Sequence, residues 1–108
     1  MPEIDSELEL ALNYLDHNKD ESLKRLFDIL KIPSISTQEK YSKDCLNAAN
    51  WFVEQLQDIG FDASIRETNG HPMVVAHFEQ EGPHFLFYGH YDVQPVSYTH
   101  LTLPTSFL

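Results

Sequence analysis

His90 and Asp92, two residues apart, are the pair in this sequence whose types could do chemistry together. A neutral imidazole offers one ring nitrogen to a metal ion and is the commonest protein ligand for zinc. In an extended segment, residues two apart point to the same side. A carboxylate placed there can accept the other ring N–H, which fixes the tautomer and raises the basicity of the ligating nitrogen. The pair therefore suits a metal ligand, His90, with its orienting partner, Asp92. Gly89, just before them, lets the backbone approach a site closely. Taken alone, His-x-Asp is a short pattern in a chain with six histidines. A surface imidazole beside a turn aspartate accounts for it more readily.

The elements before this pair must deliver it. His84 to Tyr88 is a short, nearly continuous apolar run, the pattern of a strand covered on both faces. In open α/β sheets, functional groups gather at the carboxyl ends of strands, where side chains leave the packed interior. Upstream, Ser6-x-x-Glu9 has capping-box form and opens a helix with Leu8, Ala11, Leu12 and Leu15 on one face. Asn18 is the expected N-cap of a second helix, with Leu23, Leu26, Phe27 and Leu30 as its stripe. Pro33 stops it, because proline lacks the donor a helix needs and restricts the residue before it. A loop to Thr37 follows.

The third helix is the clearest expectation. Cys45, Ala48, Ala49, Phe52, Val53, Leu56 and Ile59 recur at helical spacing, and Gly60 stands where a left-handed cap belongs. The period then changes to two. Phe61, Ala63 and Ile65 alternate with polar residues, Asn69-Gly70 signals a turn, and Met73 to Phe78 reads as the returning strand of a hairpin. The fold class expected is α/β: helices followed by a mixed sheet, with too few strands and covering helices to be complete.

Composition narrows the function classes. A chain of 108 residues, 42% hydrophobic, is one domain's worth with a modest core. Seventeen acidic residues against seven basic ones leave a charge of −10 and no basic patch, which argues against a nucleic-acid partner. No apolar run approaches the roughly 20 residues of a spanning helix, so no membrane partner is expected. The acidic first residues do not resemble a signal peptide. One cysteine, Cys45, excludes an internal disulfide, and a reducing, cytoplasmic setting is expected. Cys45 itself reads as a small core residue. His17 reads as a helix-end residue, His71 as a turn residue beside Pro72, and His77 and His84 as strand packing or surface residues.

The run from Tyr88 through Gly89, His90, Tyr91, Asp92, Val93 and Gln94 to Pro95 resembles the first metal motif of the zinc aminoacylase and carboxypeptidase family of metallopeptidases. Its wording is closest to the carnosinase-like dipeptidase branch. Leu30 to Ser36 resembles the family's early loop. Trp51 with Leu56, Gly60 and Phe61 resembles its next helix and turn, and Gly70, His71 and Pro72 a segment before the second strand. The resemblance covers most of Leu23 to Pro95, in order and at family-like spacing.

The resemblance implies a catalytic domain in which two zinc ions share a water and lower its pKa toward neutrality. A glutamate serves as general base. His90 would ligate one zinc, and Asp92 would join the catalytic machinery as its orienting partner. The remaining ligands and the general base lie downstream in the family. The chain is therefore expected to be the N-terminal part of such a domain and inactive by itself. Its intact parent would act on dipeptides or other short peptides, possess a dimerisation or lid domain, and form a homodimer in some members. An N-acyl amino acid amidohydrolase is the alternative parent, and a short non-catalytic binding module the alternative outside the enzymes.

From Val96 the character changes. Val96 to Thr105 has no charged residue, although charged residues make up 22% of the chain. The stretch departs from the family and can be back-translated, in one frame, to the mosaic end and adapter of transposase-based sequencing libraries. Residues 1–95 are thus expected to be the partial catalytic domain. Residues 96–108 are expected to be a translated sequencing adapter, and His100 is no ligand candidate.

Overall fold

The computed structural model describes residues 2–94, with side chains from Asp5 onward. The expectation for residues 96–108 lies outside the described residues. The chain divides into two compact units, one up to Lys31 and one from Ile32 onward.

In the first unit, α1 runs Pro2–His17 and α2 runs Lys19–Leu30. The start of α1 precedes the expected Ser6 cap. Proline suits a first helical turn, where its missing N–H has no partner to lose, so Ser6 lies inside the helix. Asn18 alone separates the two helices. It occupies the N-cap position of α2, but its amide donates back to the Tyr14 carbonyl at 2.9 Å and does not cap forward. The backbone bridges the break in both directions: Asn18 N–H donates to Tyr14 O and Ser22 N–H to Asn18 O, each at 2.9 Å. The expected apolar stripes are present, and Leu8, Leu12, Leu15, Leu23, Leu26, Phe27 and Leu30 are all exposed. Helix α2 ends at Leu30, and Pro33 follows the Lys31 cap by two residues.

In the second unit, a 3-10 turn at Glu39–Tyr41 leads into α3, Ser42–Asp58. Cys45, Ala48 and Ala49 are fully buried, Phe52, Val53 and Leu56 are half-buried, and Ile59 is exposed. Alanines at the centre of the stripe let the helix backbone come close to the sheet. Gly60 ends the helix at φ +97°. Its N–H donates to Gln57 O at 3.0 Å, and Phe61 N–H reaches Leu56 O at 2.9 Å. These are the two bonds of a Schellman cap, which satisfy carbonyls that the helix would otherwise orphan.

The chain then forms an antiparallel hairpin of β1, Asp62–Arg66, and β2, Met73–His77. The register pairs Ala63 with Ala76 and Ile65 with Val74. These four share one face, and α3 packs against both strands. Small and branched cross-strand pairs give α3 a flat apolar seat. The fold is mixed α/β, as expected.

One element differs from expectation. His84 to Tyr88, read as a strand covered on both faces, has no strand partner among the described residues. Leu86 is 95% exposed and Tyr88 94%. The described sheet has two strands, and neither of them pairs with this run. Parallel pairing enters as the isolated bridge Ile35 to Val93.

Candidate metal-ligand site

The bridge between Ile35 and Val93 zips two loops together and thereby makes the site. Val93 N–H donates to Ser34 O at 2.9 Å, and Ser34 Oγ donates to Tyr91 O at 2.9 Å. Ser34 is buried, and both its hydroxyl and its carbonyl are used in holding the 91–93 segment. The segment is tied from other directions as well. Tyr91 Oη donates to Pro72 O at 2.5 Å, and the Tyr91 ring lies 6.4 Å from that of Phe52 on α3. Burial pushes the Tyr91 phenol above its usual range, with the Cys45 thiol and the Asp92 carboxylate adding to the effect.

His90 and Asp92 come together as the two-residue spacing requires. His90 Nδ1 lies 2.8 Å from Asp92 Oδ1 and 3.1 Å from the Asp92 carbonyl oxygen. A carboxylate and a carbonyl only accept hydrogen bonds, so Nδ1–H is the donor, and in the neutral ring Nε2 then keeps its lone pair. The His90 side chain is 78% exposed and that of Asp92 31%. Asp92 Oδ2 accepts a bond from Ser36 Oγ at 2.5 Å. The Ser36 hydroxyl, and then His90, hold the Asp92 carboxyl below the ordinary carboxylate range, against a smaller opposing push from burial.

A cleft of about 730 Å³ opens beside this pair, with His71, Tyr88 and Cys45 also on its wall. Cys45 is fully buried at its base. Burial first, and then the Asp92 and Asp44 carboxylates, raise its thiol, which suits a packing residue and not a nucleophile. His71, read from sequence as a turn residue, donates from Nε2 to the Ser36 carbonyl at 2.8 Å. The loop carrying His71 is itself shaped by Thr68, whose hydroxyl donates to His71 O at 2.7 Å and accepts from Gly70 N–H at 2.9 Å. His17 accordingly stays a helix-end residue, bonded to Asn13 O at 2.7 Å. The His77 and His84 rings lie edge to face, 5.8 Å apart.

Sequence reasoning did not single out Ser36 or Tyr91. Ser36 meets Asp92 across 56 positions of chain, a distance at which no local pattern reports contact. The family-like segments around Ser36 and His71 were visible, but not their partnership.

The donor set fits one position of a metal centre. In the neutral ring, Nε2 of the exposed His90 is the nitrogen left free, the kind of group that zinc or a similar ion takes from a histidine. Among the described residues, no group of three or more His, Cys, Asp and Glu side chains could hold a metal ion. The described residues thus bring together one imidazole and its carboxylate partner, not a closed metal site.

The chain is similar to the Cys-Gly metallodipeptidase DUG1 of Candida albicans, with 28% identity over 103 residues. The match takes in 82% of this chain and 21% of that protein, so the chain spans about a fifth of the length of the curated relative it matches. No family model matches the chain, and no solved structure does. No helix among the described residues is long and apolar enough to cross a membrane.

Proposed function

We propose that this chain carries the first metal-ligand segment of a metal-dependent peptidase of the zinc aminoacylase and carboxypeptidase kind, in its carnosinase-like branch. The observation that carries the reading is the His90–Asp92 bond, which leaves Nε2 of an exposed imidazole available at the edge of a cleft. Similarity to a metallodipeptidase across 82% of the chain supports the same origin.

His90 would hold the metal through Nε2. Asp92 would keep the proton on Nδ1 and turn the ring, and Tyr91 and Ser34 would hold the loop that carries both. Zinc bound in such a centre supplies a water acidified toward neutral pH and polarises the scissile carbonyl. The substrate class is a dipeptide or short peptide, as the name of the relative suggests. A catalytic zinc needs about three protein ligands, and the described residues offer no such group. On this reading the chain alone would be inactive, and activity would belong to a longer protein that adds the other ligands and the general base.

Zinc titration of the 15N-histidine-labelled chain, followed by NMR, tests the reading. His90 Nε2 moves first among the ring nitrogens, His90→Ala removes that response, and added Cys-Gly is not hydrolysed. A zinc response that bypasses His90 sinks the assignment. Assaying a longer protein that contains this sequence on dipeptides and on N-acyl amino acids separates the peptidase from the deacylase reading.

A further inference from the structure

We propose that Ser36 and His71 form a positioning lock that sets the orientation of Asp92, and through it the tautomer and aim of His90. The inference rests on the reading of His90 as a metal ligand and extends it to two residues in other loops.

Four groups stand in one chain of hydrogen bonds. His71 Nε2 lies 2.8 Å from Ser36 O, and because a carbonyl only accepts, Nε2–H is the donor. Ser36 Oγ donates to Asp92 Oδ2 at 2.5 Å, and His90 Nδ1 donates to Asp92 Oδ1 at 2.8 Å. Each carboxylate oxygen of Asp92 is therefore occupied by a different side chain. A carboxylate bonded at one oxygen can rotate about its last torsion and let the imidazole follow. Bonded at both, it presents Oδ1 to His90 in one direction. Charge-assisted O–H···O bonds of this length are among the stronger ones in proteins.

The lock joins three segments far apart in sequence: the loop after α2, the hairpin loop, and the loop after His84 to Tyr88. Val93 N–H on the Ser34 carbonyl and the Ser34 hydroxyl on the Tyr91 carbonyl bring the first and third together. The Tyr91 hydroxyl brings the second and third together. His71 closes the remaining side by gripping the backbone of Ser36. Partners behind a metal-bound histidine and its carboxylate typically carry a 10- to 100-fold share of metal affinity. Ser36 and His71 stand in that position here without touching the ligand nitrogen.

The test uses the full 108-residue chain, 15N-labelled at histidine, above the pH range in which imidazole protonates. Long-range 1H–15N spectra report the His90 tautomer, and zinc titration in the same samples reports affinity. The Nδ1–H form of His90 dominates in the unaltered chain. Ser36→Ala shifts His90 toward the Nε2–H form and weakens zinc binding roughly ten-fold, while Ser36→Thr, which keeps the hydroxyl, restores both. His71→Ala acts in the same direction, and His71→Gln, which keeps an N–H donor, recovers part of the loss. A merely structural role would lower the melting point of the Ala variants without changing the tautomer ratio of the chains that remain folded.

An unchanged tautomer and affinity in Ser36→Ala, with the α3 and hairpin amide signals intact, overturns the lock. If Ser36→Ala unfolds, the His71 pair carries the comparison; if both Ala variants unfold, the two residues are structural and the proposal fails. Failure of the underlying reading looks different. In that case zinc does not shift His90 in the unaltered chain, whatever the tautomer does.

Discussion

The hydroxyl of Tyr91 donates to the carbonyl of Pro72 at 2.5 Å, fastening the segment that carries His90 and Asp92 to the hairpin loop. The bond spans 19 positions and lies part-buried, so water replaces it poorly when it is lost. Tyr91→Phe keeps the ring beside Phe52 and removes the donor alone. Denaturant unfolding is expected to show a loss of about 1 kcal/mol, the usual net value of such a bond. The His90 and Asp92 NMR signals should broaden before the α3 signals do.

Gly60 makes the turn from α3 into β1 at φ +97°, a region that side chains with a Cβ rarely enter. An added methyl would also lie 3.4 Å from the Phe78 ring. The contact is tolerable, but the backbone strain is not avoided. Gly60→Ala is expected to cost about 1–2 kcal/mol, read as a lower midpoint at unchanged denaturant slope.

Asp92 gives a pH dependence whose sign follows from its partners. Its folded pKa is depressed by Ser36 and His90. A depressed carboxyl contributes stability that is fully present above its unfolded pKa and is lost as pH falls through the folded value. The stability difference between the unaltered chain and Asp92→Asn should therefore be constant above the ordinary carboxylate range and shrink on acidification below it. Carboxyl 13C NMR should find Asp92 titrating below the other aspartates. The side chain remains partly solvated, so the change is modest.

Phe85, Leu86, Phe87 and Tyr88 are 80–95% exposed on backbone with no strand partner among the described residues. Such an uncharged, β-prone run is a template for pairing between chains. Light scattering of the chain is expected to rise with concentration and salt, since salt screens the net charge of −10. Phe87→Lys should suppress that rise while leaving the α3–hairpin unit folded. Equal scattering from the variant would place the association elsewhere.

Where local chemistry decides conformation, the sequence was a sufficient guide. The α3 stripe, the Gly60 cap, the hairpin and the stop at Pro33 all follow from spacing, turn residues and backbone sterics, which act over a few positions. The start of α1 was misread because Ser6 and Glu9 satisfy a capping pattern equally well from inside a helix. His84 to Tyr88 was misread for another reason: its apolar character says which faces it would bury within a sheet, not whether it joins one.

The pairing of His90 with Asp92 was legible because a two-residue separation in an extended segment leaves both side chains on one side. Their surroundings were not. Ser36 reaches Asp92, His71 grips the Ser36 backbone and Pro72 accepts from Tyr91, and contacts across 19 to 56 positions leave no periodicity or spacing to read. The sequence by itself determined that the imidazole of His90 and the carboxylate of Asp92 could meet, and so which pair to propose as a metal ligand and its partner. Only the tertiary structure decided what holds that carboxylate in place, because hydrogen bonds between loops depend on where the packed helix and hairpin set those loops down.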